Sequence, residues 1–215
     1  TPAHLPHTQK AETNDYLKAL GNAIAQEVKA ARSNKSFKGE VGERLAVTTL
    51  GTLPSKRILV MGLGEKEKLT TESLRRVAGL AIRTAKGYNV KQVASVVHLQ
   101  NRFSADDQVG AFVEGALLGD YQFIDYATEK KKELVPLENL TLLQEKDNKA
   151  ALEKATTIVK ATNYVLQLVN EPAQKVTPAY LVKEAEKLRS KGVTGTVFDK
   201  KKLQELGMGG ILAVG

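Results

Sequence analysis

The chain has 215 residues, a formal net charge of +8 and no cysteine, so disulfides, thiolate metal sites and cysteine nucleophiles are excluded by inventory. At 42% hydrophobic and 26% charged residues it has the composition of a soluble globular protein long enough to bury a core, and no apolar run approaches the roughly 20 residues of a membrane span. The basic excess, 32 Lys and Arg against 24 Asp and Glu, makes a polyanion partner conceivable. Its densest cluster, Lys130, Lys131 and Lys132, is flanked by Glu129 and Glu133, which reads as a solvated surface loop.

From Asp15 to Arg32, Leu17, Leu20, Ile24 and Val28 recur at three- and four-residue spacing and predict an amphipathic helix, with Thr13 or Asn14 as its cap. Leu45–Leu50 and Arg57–Gly62 are short apolar runs on either side of a turn at Gly51–Ser55, and read as two strands of one sheet. Thr71–Lys86 returns to helical spacing through Leu74, Val77, Ala78, Ala81, Ile82 and Ala85. A strand at Gln92–Leu99, a helix at Ala105–Leu118 and a strand at Asn139–Gln144 follow. This alternation predicts an α/β layer architecture with a mostly parallel or mixed sheet.

Lys146–Val169 is the longest helical pattern, with Asp147 or Asn148 as its cap, and Asn170, Glu171 and Pro172 end it. Thr177 then caps a helix with Pro178 at its first position, running to about Ser190 and ended by Gly192. Gly195–Asp199 reads as a strand, Lys200–Leu206 as a short helix closed by Gly207, and Ile211–Val214 as another short strand. Two such strands cannot bury both faces of a sheet, so this second segment reads as the start of a domain that is either truncated or completed by protein lying elsewhere.

Candidate chemistry is sparse. Gly62, Leu63 and Gly64 follow a strand and precede a helix, where backbone amides could meet a phosphate, but Glu67 stands where a dinucleotide fingerprint needs its third glycine and Glu65 adds repulsion. Tight strand-to-loop geometry is the expected role. His4 and His7 lie in a proline-bearing terminus and read as an exposed tail, and His98, at a strand end, reads as structural. Asp106 and Asp107 open a helix and suit its positive end. Glu171, Asp199 and Glu205 show no spacing that would force a shared metal or an acid/base pair. No catalytic, cofactor-binding or metal-ligating residue is assigned.

Four segments carry a resemblance. Arg57–Gly64 with Leu74 and Arg75, the run Glu114–Phe123 with Tyr126, the stretch Asn170–Pro178, and Leu203–Gly215 follow one another as similar segments do in the leucyl (cytosol) aminopeptidases. The resemblance implies a macro-domain-like accessory α/β domain at 1–145, with a mixed sheet flanked by helices, a long connecting helix at 146–170, and the incomplete beginning of a catalytic α/β peptidase domain at 171–215. It further implies a cytoplasmic homo-hexameric enzyme acting on peptides, with two divalent metals, zinc or manganese. The ligands, a lysine, aspartates and a glutamate, lie beyond the segment matching Ala213–Gly215, so this chain is expected to bind no metal and to be inactive alone.

The family's first domain begins with a strand ahead of the helix at Asp15, and Thr1–Asn14 shows none. The chain is therefore expected to be cut at both ends, leaving a sheet edge open. The competing readings are DNA binding, since some bacterial members of the family bind DNA and the charge suits it, and an oligomerisation module; no membrane association is expected.

Overall fold

The computed structural model describes residues 7–10, 14–51, 53–96, 103–129, 137–144 and 148–214. Thr13, Asp147, His4, His98, Lys130–Lys132 and Glu133 lie outside the described residues. The chain divides into two compact units, Thr1–Asn163 and Tyr164–Gly215.

The first unit contains strands β1 (His7–Lys10), β2 (Arg44–Thr48), β3 (Arg57–Met61), β4 (Gln92–Val96) and β5 (Asn139–Gln144). Its helices are α1 (Asn14–Ser33), α2 (Thr71–Gly87), α3 (Ala105–Asp120) and the greater part of α4 (Lys149–Asn170). β5 lies between β1 and β4 and runs parallel to both, with Thr141 opposite His7 and Ala94. α3 is thus the helix of a β4–α3–β5 crossover, the connection that parallel neighbours require. β2 and β3 form a separate antiparallel pair, Arg44 opposite Met61 and Thr48 opposite Arg57. The mixed α/β class expected from the alternation is what the unit shows.

The strand β1 corrects the expectation that Thr1–Asn14 holds none. His-Thr-Gln-Lys has no apolar alternation, and its strand state comes from pairing along β5, a tertiary cause that local pattern does not carry. His7 accordingly stands in a sheet rather than in a tail.

Helix starts follow their caps. Thr70 and Ser73 form a reciprocal box, with the Ser73 N–H donating to Thr70 Oγ1 at 3.1 Å and the Thr70 N–H to Ser73 Oγ at 2.8 Å. Ser104 accepts from the Asp107 N–H at 3.1 Å. The core they position is built from Leu74, Ala78 and Ile82 of α2, Val109, Val113 and Ala116 of α3, Leu140 and Leu142 of β5, and Leu152 and Ala155 of α4.

α2 and α3 meet backbone to backbone. A Cβ at Gly115 would lie 2.0 Å from the Arg75 carbonyl oxygen, one at Gly119 2.5 Å from that of Gly79, and one at Gly79 2.9 Å from that of Gly115. Only glycine permits this approach.

The second unit holds the end of α4, then α5 (Pro178–Lys187) continued by a 3-10 turn at Leu188–Lys191, α6 (Lys200–Glu205) and α7 (Gly209–Val214). Thr177 accepts from the Tyr180 N–H at 3.3 Å with Pro178 in the first turn, and Gly192, at φ 82°, ends the 3-10 turn as its sequence position predicts. Asp199 caps α6 through the Lys202 N–H at 2.8 Å, and Gly207, at φ 68°, follows it.

Two expectations are corrected here. Gly195–Asp199 forms no strand, because no described strand lies beside it to complete a ladder. Ile211–Val214 belongs to helix α7, where the Leu212 N–H reaches the Met208 carbonyl at 3.3 Å. A four-residue apolar run fits either state, and without a neighbouring strand the helix satisfies its own backbone.

Replacing Gly115 by Ala must push α2 and α3 apart and should destabilise the chain by about 3 kcal/mol, an overpacking cost. Gly110→Ala, on the same helix with nothing within 4 Å of the added carbon, should instead be neutral or stabilising by up to ~1 kcal/mol. Chemical denaturation of both variants checks the contrast, and equal effects would remove the seam from the account.

Candidate functional site

The glycine loop after β3 is closed by its own backbone. The Gly62 N–H donates to the Glu43 carbonyl at 2.8 Å and the Gly64 N–H to the Gly39 carbonyl at 2.9 Å. A Cβ at Gly62 would stand 2.1 Å from the Glu40 carbonyl oxygen, and Gly64 has φ +76°. These glycines serve close packing, and both of their amides bond backbone carbonyls, the tight strand-to-loop geometry expected here.

An anion does sit in a backbone nest beside it, and it is the chain's own. Glu43 Oε2 accepts the N–H groups of Lys38 at 2.8 Å, Gly39 at 2.6 Å and Glu40 at 3.0 Å. Desolvation acts to raise the Glu43 carboxyl, but the three amides and Lys38 outweigh it and hold the group below the usual glutamate range.

A cavity of about 370 Å³ lies between α2, α3 and α4. Gly110, Ala111 and Ala151 are among its small lining residues, and Arg75, Glu114 and Lys154 among its charged ones. Arg75 is held by Glu114 at 2.8 Å and Glu72 at 2.5 Å, while Arg76 and Arg75 keep the Glu72 carboxyl below its ordinary range. Asp106 accepts from Asn148 Nδ2 at 2.7 Å, and Asp107 from Ser104 Oγ at 2.7 Å. The two aspartates thus secure the starts of α3 and α4, the structural role expected of them. The cavity gathers no nucleophile with a base beside it.

In the second unit Glu171 is the one buried residue among those described, and its carboxylate meets Lys175 Nζ and Gln167 Nε2 where α4 ends. Asp199 caps α6, and Glu205 pairs with Lys202 at 3.1 Å. The three acidic residues singled out in the sequence are therefore kept in separate local roles. Sequence reading missed Tyr164, whose hydroxyl donates to Glu184 at 2.5 Å; that bond to a carboxylate pushes the phenol up to about 12, so it stays a donor at neutral pH. Their spacing, across the break between α4 and α5, gives no periodic signal.

Among the described residues no group of three or more His, Cys, Asp or Glu converges as a metal would require. The described residues do not by themselves form a two-metal centre. No described helix is long and apolar enough to cross a membrane.

The Glu43 nest gives a pH signature. Because its folded pKa is depressed, its contribution to stability is complete above the unfolded value of about 4.3 and is lost as pH falls through the lower folded value. Glu43→Gln should unfold at a lower temperature than the parent at pH 7, and the gap should close in acid. A gap that persists unchanged below pH 3 would assign the effect to something other than the charge.

Comparison with known proteins adds what the geometry does not. Residues 5–130 match the family model described as "Cytosol aminopeptidase family, N-terminal domain", and residues 163–215 match that of the same family's catalytic domain. A probable cytosol aminopeptidase of Alkaliphilus oremlandii is 30% identical over 208 residues, covering 94% of this chain and 42% of that protein. One of Geobacter sulfurreducens is 34% identical over 201 residues, covering 91% and 39%. The chain spans about two fifths of the length of these relatives. In fold it is similar to a mutant tomato leucine aminopeptidase, with a TM-score of 0.74 at 23% identity over 93% of this chain and 41% of that one. It is also similar to the bottromycin maturation enzyme BotP in complex with Mn, with a TM-score of 0.70 at 22% identity over 98% and 41%. With both family models matched in order along it, the chain belongs to the cytosol aminopeptidase family.

Proposed function

We propose that the whole protein is a metal-dependent aminopeptidase that releases N-terminal residues from peptides in the cytoplasm, and that these 215 residues supply its scaffold. In this reading 1–145 is the accessory domain, 146–170 the connecting helix and 171–215 the opening of the catalytic domain. The observation that carries it is the catalytic-domain match at 163–215, downstream of the N-terminal-domain match at 5–130. Two divalent ions, zinc or manganese, belong to this reading, supported by a fold neighbour bound to Mn. In this reading hydrolysis belongs to the rest of the family's catalytic domain, of which residues 163–215 match a part. A homo-hexamer is proposed on family membership alone. DNA binding rests on the net charge, and no arrangement described above adds to it.

Hydrolysis of a leucyl anilide is the direct test. The purified 215-residue chain should release no more product than buffer, with or without Mn²⁺ or Zn²⁺. The full-length protein should hydrolyse it and lose at least about 100-fold in rate on chelation, as expected when a metal activates the attacking water. Metal-dependent turnover by the 215-residue chain itself would overturn the assignment of the site, and a metal-free full-length protein of undiminished rate would overturn the mechanism.

A further inference from the structure

Opposite charges face the cavity between α2, α3 and α4 without meeting. Its volume, about 370 Å³, falls within the roughly 300–1,000 Å³ of small-ligand sites. Five charged side chains line it: Arg75, Asp106, Asp107, Glu114 and Lys154. Arg75 and Glu114 answer each other across the α2–α3 seam. Lys154 of α4 has no ion pair or hydrogen bond among the described residues. The Asp106 and Asp107 carboxylates of α3 bond the neutral side chains of Asn148 and Ser104, and neither pairs with a described cation. One unanswered positive charge and two unanswered negative ones therefore line a single space.

That space is kept open by small residues. Ala111, Ala151 and Ala155 line it, and Ile158 adds an apolar wall. Gly110 lies in the interior of α3, where glycine is costly. At Gly115 and Gly119 the approach of α2 requires glycine, but a Cβ at Gly110 would meet nothing within 4 Å. Packing among the described residues thus gives no reason for this glycine, and its effect is room inside the cavity.

We propose that this cavity binds a small zwitterion, a free aliphatic amino acid, with its carboxylate on Lys154, its ammonium on the Asp107 carboxylate, and its side chain over Gly110, Ala111 and Ile158. A monoanion would lie beside Asp106 and Asp107 without answering them, and a monocation would leave Lys154 unanswered. A ligand carrying both charges forms a charge-assisted hydrogen bond at each wall and bridges the gap that separates them. The inference uses the first unit alone and does not depend on the enzymatic reading.

L-Leucine is the probe, titrated into the isotope-labelled 215-residue chain. Amide shifts should saturate with a Kd of about 1 mM or below and cluster at residues 107–114 and 150–158. Isocaproate, which lacks the ammonium, and isoamylamine, which lacks the carboxylate, should each bind at least about 10-fold more weakly than leucine. Lys154→Met should weaken leucine binding at least about 10-fold and leave that of isoamylamine unchanged. Asp107→Asn, which keeps an acceptor for Ser104, should weaken leucine as much and leave isocaproate unchanged. Gly110→Leu fills the space and should abolish saturation while chemical denaturation shows the fold retained; should it unfold, the two charge variants still decide. Absence of saturation by leucine up to about 10 mM would overturn the site. Half-ligands that match leucine, or charge variants that bind it as the parent does, would overturn it equally.

Discussion

The first unit depends on how closely α2 and α3 approach. With Gly79, Gly115 and Gly119 facing carbonyl oxygens across the seam, the two helices touch through their main chains. That distance turns the adjacent faces inward together, so Leu74, Ala78 and Ile82 meet Val109, Val113 and Ala116 over the same strand, β5. Leu140 and Leu142 of β5 are then 2% and 0% exposed. Larger side chains along the seam would separate the helices and leave voids under both. The ion pairs of Arg75 with Glu114 and of Lys86 with Asp120 at 2.7 Å fasten the same two helices at either end of the contact. The Arg75–Glu114 pair is the more exposed of the two and adds register more than energy.

The second unit is organised by different means. Its helices are set by caps and turns that operate within a few residues: Thr177, Asp199, Gly192 and Gly207. These local devices give each helix its bounds but bury almost nothing. Glu171 is the exception, a carboxylate enclosed at the end of α4 and answered by Lys175 and Gln167. A buried charge is tolerable only with partners of this kind, and it costs heavily if one is removed.

This division explains what could be read in advance. Helices α1 to α5 and strands β2 to β5 were legible within a few residues, because apolar periodicity and capping residues are local properties. The same holds for the tight turn of the glycine loop, where the Gly62 and Gly64 amides bond backbone carbonyls. The polar strand β1 was not legible, since only β5 makes it a strand. The runs at Gly195–Asp199 and Ile211–Val214 were misread for the converse reason: their composition allows a strand, but strand identity belongs to a pair of segments. Of the site, what was legible was family likeness in four segments. The pairing of Tyr164 with Glu184 and the nest around Glu43 involve contacts that no spacing announces.

The acidic residues show why no metal cluster forms among the described residues of this cytosol aminopeptidase family member. A metal site needs carboxylates that converge and are not otherwise engaged. Here Glu43 fills a backbone nest, Glu72 and Glu114 hold Arg75, Asp106 ties to Asn148, Asp107 to Ser104, Asp199 caps a helix, Glu171 meets Lys175 and Glu184 meets Tyr164. Each already has a partner, and the charged form is favoured at Glu43 by three backbone amides against desolvation, at Glu72 by Arg76 and Arg75, and at Glu184 by Lys187 and then Tyr164. Depressed carboxyl pKa values elsewhere in a cleft would suggest function; here the causes are backbone amides, Arg and Lys side chains and a phenol, all of which position the fold. Among the described residues, these carboxylates hold helix starts, a turn and side-chain pairs in place.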